Sequence, residues 1–194
     1  MRGLREVGCF STTSREVRSA KGKYMGKSSN IVLIGMPGAG KSTLGVVLAK
    51  ILNRGFVDTD LLLQAHLGCT LQEFIDSQGA RSLIVEEGRV LSSVQAEDSV
   101  IATGGSAVYS AGGMEHLAEI GRIVYLQISY ASLAERLVDL DERGVVMTGG
   151  SSMSLSDLYE ERAPLYERYA DVVVNVDGLS ITAAARRVAS VLRS

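Results

Sequence analysis

From Ile31 onward, short β-branched runs alternate with segments of helical period, the pattern of a βαβ sheet protein. Stretches 31–34, 55–57, 100–102, 122–127 and 171–175 read as strands. Leu44, Val47, Leu48 and Ile51 fall at i, i+3, i+4 and i+7, which puts one apolar face on a helix after the first strand. Ile181, Ala184, Ala185 and Val188 repeat that spacing in the last helix. Thr70 and Glu73 form a Thr-x-x-Glu capping box, opening a helix that ends near Gly79. With further helices at 61–67 and 82–95, three helices crowd between the second and third strands. A simple crossover needs only one, so the surplus reads as an insertion that builds a substrate pocket.

Charged residues interrupt this pattern at particular places. In "GFVDTDLLLQ" (55–64) Asp58 and Asp60 stand two apart at the end of an apolar run, and an unpaired buried carboxylate is costly. In the helix 82–95 the apolar stripe is Leu83, Val90, Leu91 and Val94, and Glu87 lies on it one turn after Leu83. "VIATGGSAV" ends another strand with Gly104 and Gly105, where backbone can approach a ligand or make a tight turn. "ERAPLYERYAD" sets Arg162 and Arg168 around Pro164; a basic residue near a helix end is ordinarily a solvated charge.

The stretch "GMPGAGKST" fits Gly-x-x-x-x-Gly-Lys-Ser, with Gly35, Gly40, Lys41 and Ser42 at the required positions. Its setting between "IVLI" and an amphipathic helix is the context in which such a loop cradles phosphate, through inward-turned N–H groups and the helix N-terminus. Lys41 would reach the β- and γ-phosphates and Ser42 would coordinate Mg²⁺. The nucleotide contacts expected of the loop are Gly38, Ala39, Gly40, Lys41, Ser42 and Thr43. No Asn-Lys-x-Asp element that reads guanine occurs, which favours ATP.

If the second strand lies parallel to the loop-bearing one, its carboxyl end opens on the same crevice. In an extended segment Asp58 and Asp60 share a face, so one could hold hydrated Mg²⁺ while the other takes a proton from a substrate hydroxyl. The plainer alternative is that Asp60 caps the helix 61–67.

Composition narrows the class. The chain has 194 residues, 46% of them hydrophobic, enough for one domain with a sizeable core. A net charge of −2 and 5% aromatics give no nucleic-acid footprint. Cys9 and Cys69 lack a paired spacing, which argues against a disulfide framework or zinc site, and no apolar run approaches the roughly 20 residues of a membrane span. Residues 1–30 carry seven basic side chains against Glu6 and Glu16, a balance of +5 that leaves −7 for the remainder of a chain totalling −2. That segment reads as a basic, disordered tail before a P-loop domain at 31–194, with organellar targeting as the alternative to a cytoplasmic protein. The stretch "DERGVVMTGGSSMSLSD" (141–157) is rich in glycine and serine, reads as a mobile loop, and carries Arg143.

In their order and separations, the Walker motif, "DTD", "IATGG" and "ERAPLYERYAD" resemble the shikimate kinase family over about 31–177. The resemblance implies an α/β P-loop three-layer fold: a five-stranded parallel sheet in the order 2-3-1-4-5, helices on both faces, and a lid. It also implies ATP- and Mg²⁺-dependent phosphorylation of a hydroxyl on a small cyclic acid, a step of aromatic amino acid biosynthesis, by a monomer or weak homodimer. Within it Asp58 matches the magnesium-associated aspartate, and Asp60 the aspartate that binds the substrate hydroxyls as candidate base. Gly104 and Gly105 match glycines lining the substrate, Glu87 the glutamate of the substrate helix, and Arg162 an arginine on the substrate carboxylate. Arg143 matches the lid arginine and Arg136 the arginine stacked on adenine.

The sequence departs from the family pattern in three stretches. The substrate helix usually reads Phe-Arg-x-x-Glu, and here the aligned residues are Leu83, Ile84 and Glu87, so a carboxylate-binding arginine has become Ile84. Ser106 stands for the third glycine, and Arg143 is followed by Gly144, Val145 and Val146 rather than Pro-Leu-Leu. Arg81, one turn before Ile84, is the candidate to compensate; otherwise the acceptor is a different hydroxylated metabolite. A nucleotide-binding regulatory protein without kinase activity is the other class consistent with these changes. A nucleoside monophosphate kinase would need more arginines than Arg81 and Arg89 in the inserted helices.

Overall fold

The computed structural model of the chain describes residues 30–138 and 154–193. The basic segment expected at 1–30 lies outside these residues except for Asn30, as do Arg143 and most of the glycine- and serine-rich loop.

Five parallel strands, β1 (Asn30–Ile34), β2 (Gly55–Asp58), β3 (Ser99–Ala102), β4 (Gly121–Gln127) and β5 (Val172–Asn175), form one sheet in the order β2-β3-β1-β4-β5. The order is the one the resemblance implied. β1 and β3 are buried at every position because strands on either side and helices around the sheet leave them no solvent, so they read as unbroken apolar runs. Helix α1 (Lys41–Leu52) packs on α8 (Ile181–Arg193), burying Leu44 and Leu48 against Ala184, Ala185 and Val188, the residues whose spacing predicted those faces. Helix α5 (Ala111–Ile120) packs on β4, as does α7 (Leu155–Tyr169), which in turn touches α6 (Tyr130–Val138).

The insertion is three helices, α2 (Thr59–Leu67), α3 (Leu71–Gln78) and α4 (Ala80–Ser93). Leu63, Leu83 and Val90 are buried together, with Leu67, Leu71, Phe74 and Ile75 against them, so the insertion has a small apolar core of its own. The expected capping box is present: Thr70 Oγ1 accepts from the Glu73 N–H, and the Glu73 carboxylate accepts from the Thr70 N–H. Gly79, at φ 82°, ends α3 and turns the chain into α4 two residues before the expected start, a conformation that suits glycine. Among the described residues no helix is long and apolar enough to cross a membrane.

The register brings the interrupting residues together. Asp58 is level with Ala102 across β2–β3, and Ala102 is level with Leu33 across β3–β1. The ends of β1, β2 and β3 therefore deliver the phosphate loop, the aspartates and the Gly104–Gly105 pair to one edge of the sheet, where open α/β sheets bind ligands.

Candidate active site

The loop between β1 and α1 needs glycine at specific points. Gly38 (φ 79°) and Gly40 (φ 91°) sit in the left-handed region, and a Cβ on Gly35 (φ 147°) would come 2.8 Å from the Leu126 carbonyl oxygen. Lys41, the first residue of α1, is buried, and its Nζ donates to the carbonyls of Gly35 (2.8 Å) and Met36 (3.0 Å). Ser42 and Thr43 are exposed at the helix mouth, and Ala39 is buried beneath the loop.

The two aspartates behave differently from an extended pair. The strand stops at Asp58, whose Oδ1 accepts from the Asp60 N–H at 3.0 Å and so caps α2. Asp60 is in the first turn of α2, and the expectations that the two share a strand face or that Asp60 is the cap are both corrected. The reason is local: a capping carboxylate at Asp58 satisfies a helix-start N–H that a continuing strand would leave to a neighbour. The helical turn aims Asp60 inward over Gly104.

That glycine is where the acids converge. A Cβ on Gly104 would lie 2.7 Å from Asp60 Oδ1 and closer still to Glu87 Oε1. Glu87 is 4% exposed, on the inner stripe of α4 as its spacing indicated. Its Oε2 accepts from the Ser106 hydroxyl at 2.5 Å. Gly105 approaches Pro37 of the phosphate loop and Arg162 of α7, with 2.7 Å and 3.2 Å left for a Cβ. Thr103 stitches this turn to β1 by donating its N–H and hydroxyl to the Leu33 carbonyl.

Arg162 is fully buried rather than a solvated helix-end charge. Its Nε donates to the Tyr109 hydroxyl at 3.0 Å, and its guanidinium carbon lies 5.0 Å from the centre of the Tyr109 ring. Tyr166, one turn along α7, donates to the Gly105 carbonyl at 2.6 Å. Arg168 follows the ordinary expectation, exposed beside the Tyr169 ring. Tyr109, Tyr166 and Ser106 carry the site's geometry without having been singled out by sequence for these contacts. Only Tyr166, four residues after Arg162 on one helix, had a spacing that could have revealed it.

Burial dominates the electrostatics. It lowers the Lys41 ammonium to about 8, opposed chiefly by the Asp60 carboxylate. It raises Asp60, opposed by Lys41 and helped by Asp58. It raises Glu87 to about 7, opposed first by the Ser106 hydrogen bond. Two carboxyls, an ammonium and a guanidinium thus share one poorly solvated place, where each sets the others' charge.

Ile84 is half-buried one turn before Glu87 and lines a cavity of about 590 Å³ with Val85, Gly88, Arg89, Tyr109 and Ser110. Arg81 is exposed. Arg89 is engaged by Glu86 at 2.6 Å, in a surface pair that His66 also joins. Arg136 is in the last turn of α6. Among the described residues no three His, Cys, Asp or Glu side chains cluster as a metal site.

Because Gly104 touches both acids, Gly104→Ala is expected to displace them and lower kcat/KM by about 10²-fold, the effect of misplacing reactive groups by about 1 Å. Steady-state kinetics beside a nucleotide-binding measurement checks this: nucleotide affinity stays within a few-fold of wild type.

A phosphate loop on the first strand of a parallel five-stranded sheet, with acids and a buried arginine at the neighbouring strand ends, defines a P-loop phosphotransferase of the small-molecule kinase type. A profile of the family described as "Shikimate kinase" matches residues 37–193. Shikimate kinase from Thiobacillus denitrificans is 33% identical over 163 residues, covering 84% of this chain and 89% of that protein. Shikimate kinase from Methylococcus capsulatus is 34% identical over 160 residues, covering 82% of this chain and 89% of that protein. Among solved structures, shikimate kinase from Acinetobacter baumannii in complex with shikimate superposes with a TM-score of 0.75 at 28% identity, over 88% of this chain and 96% of that one. Shikimate kinase from Aquifex aeolicus gives 0.69 at 26% identity, over 84% and 96%. The chain belongs to the shikimate kinase family.

Proposed function

We propose that this member transfers the γ-phosphoryl group of ATP to a hydroxyl of a small hydroxylated acid, with shikimate the first acceptor to test. The observation that carries the reading is the meeting of Asp60 Oδ1 and Glu87 Oε1 over Gly104, with Arg162 against the adjacent Gly105. Lys41, whose Nζ is hydrogen-bonded to the loop carbonyls, would hold β- and γ-phosphate oxygens. Asp60 orients the acceptor hydroxyl and takes its proton as the phosphoryl group arrives. Arg162 pairs with the acceptor's carboxylate, and Tyr109 and Tyr166 hold that guanidinium and its neighbouring backbone still. Arg136 would stack on adenine and Arg143, outside the described residues, would close on the transferred phosphate.

Ser42 and Asp58 suit a magnesium ion held mainly by phosphates and water. The Ser42 hydroxyl is exposed at the first turn of α1, and the α2 cap uses only Oδ1 of Asp58. When bound, the ion neutralises charge on the phosphate oxygens.

A coupled ADP-release assay over hydroxylated acids and sugars tests the reading. Turnover with shikimate or another hydroxy acid supports it; preference for an acceptor without an anionic group overturns the role of Arg162. Ile84 supplies no donor for a carboxylate, so shikimate itself faces a sharper test. Calorimetry in the presence of a nonhydrolysable ATP analogue should show saturable shikimate binding, and no heat at millimolar concentration assigns the site to another metabolite. Ile84 also favours a second reading, a nucleotide-binding regulatory protein without kinase activity, and the absence of ADP release with every acceptor on the panel would support it.

A further inference from the structure

Ser106 is a buried hydroxyl with a defined partner. It is 5% exposed, in an ordinary helical conformation (φ −91°, ψ −5°) at the entry to the short 3₁₀ turn Ala107–Tyr109. Its hydroxyl donates to Glu87 Oε2, and its carbonyl accepts from the Tyr109 N–H at 2.9 Å. One residue therefore anchors both the Glu87 carboxyl and the turn that carries Tyr109 to Arg162. A glutamate's last torsion is broad and two-fold, so a lone carboxyl among charges swings between partners. The groups facing Glu87 are Asp60 from α2, Lys41 from α1 and Arg162 from α7, one repelling it and two attracting it. The Ser106 bond holds Oε2, which leaves Oε1 buried, without a hydrogen-bond partner, and packed against Gly104 beside Asp60 Oδ1. A buried acceptor left this way is costly unless a ligand satisfies it.

We propose that Ser106 is a positioning residue that locks the Glu87 carboxyl so that Oε1 receives a second hydroxyl of the acceptor, next to the hydroxyl held by Asp60. This rests on the phosphoryl-transfer reading above and deepens it. A hydroxyl suits this position, because it can donate to the ionised Glu87 carboxyl or accept from the protonated one. The anionic end of the acceptor is left to Arg162.

The test compares shikimate with 4-deoxyshikimate, which lacks the hydroxyl next to the one phosphorylated, in wild type, Ser106→Ala and Ser106→Thr. Wild type is expected to show KM for the deoxy compound raised about tenfold or more, with kcat within about threefold, the signature of a lost hydrogen bond to a buried polar group. In Ser106→Ala the shikimate KM rises about tenfold while the deoxy KM hardly moves, and Ser106→Thr, which keeps the hydroxyl, restores discrimination. Full discrimination in Ser106→Ala, or an equal fall in kcat for both compounds in that variant, overturns the proposal. If wild type turns over neither compound, the acceptor assignment above fails separately. The Ser106 link is then read from the ¹³C titration of the Glu87 carboxyl, assigned with Glu87→Gln. An upward shift in Ser106→Ala, with Ser106→Thr unshifted, sustains it, and an unchanged midpoint sinks it.

Discussion

Asp60→Asn is expected to cut turnover by about 10²-fold or more while nucleotide binding persists, in line with general-base contributions. The asparagine keeps the shape and can still accept a hydrogen bond from the acceptor, but it has no basic oxygen to take the proton. Burial raises the native carboxyl and Lys41 holds it back down, so the proposed base is set between two opposing effects. Asp60 lies in the first turn of α2, and its N–H, not its side chain, is what the Asp58 cap uses. The substitution therefore leaves the helix start intact, and a loss of activity cannot be ascribed to an unfolded insertion. Single-turnover measurement separates the step from product release; turnover unchanged within about threefold would remove Asp60 from the mechanism.

Lys41→Met is expected to lower turnover by about 10²- to 10³-fold, the range for deleting one preorganised group that meets developing charge. Nucleotide affinity falls as well, because the ammonium interacts with phosphate in the ground state. The wild-type affinity carries a pH signature. Burial lowers Lys41 to about 8 in the free protein, so the charged form that attracts phosphate prevails below that pH and is lost as pH rises through it. Affinity for a nonhydrolysable ATP analogue should therefore begin to fall above about pH 8, since bound phosphate opposes the deprotonation and moves the loss upward. In Lys41→Met this component of the pH dependence disappears. A wild-type affinity flat from pH 7 to 10 would show that Lys41 keeps its proton throughout.

Arg162 and Ile84 pull the acceptor question in opposite directions. Arg162 is a guanidinium taken wholly out of solvent, and removing a buried cation's partners is costly, so its burial beside Gly105 implies a standing electrostatic purpose. Ile84 presents an aliphatic surface to the cavity it shares with Tyr109. Arg162, Asp60 and Glu87 do not line that cavity, so under the proposed reading the acceptor's anionic end is left to Arg162.

Much of this protein was legible along the chain. Strand positions fell within about one residue of those observed, because parallel strands buried on both faces are written as unbroken apolar runs. The phosphate loop was legible because its glycines obey a backbone requirement that no other residue meets. The box at Thr70 and Glu73 is a contact three residues apart, fully determined by local sequence. Glu87 announced itself as a charge on an apolar stripe.

Other features depended on partners distant in sequence. Arg162 reads as a solvated charge until Tyr109, 53 residues away, and Gly105 enclose it. Ser106 reads only as a replacement for the family's third glycine until Glu87, 19 residues back, comes within hydrogen-bond distance. Spacing and propensity act over one or two turns, and the sequence by itself thus determined the elements, the phosphate loop and the list of acids. Which oxygen each acid presents, and which charge each arginine keeps, depends on desolvation and on the direction of a few hydrogen bonds. Those exist only once the ends of β1, β2 and β3 meet α4 and α7.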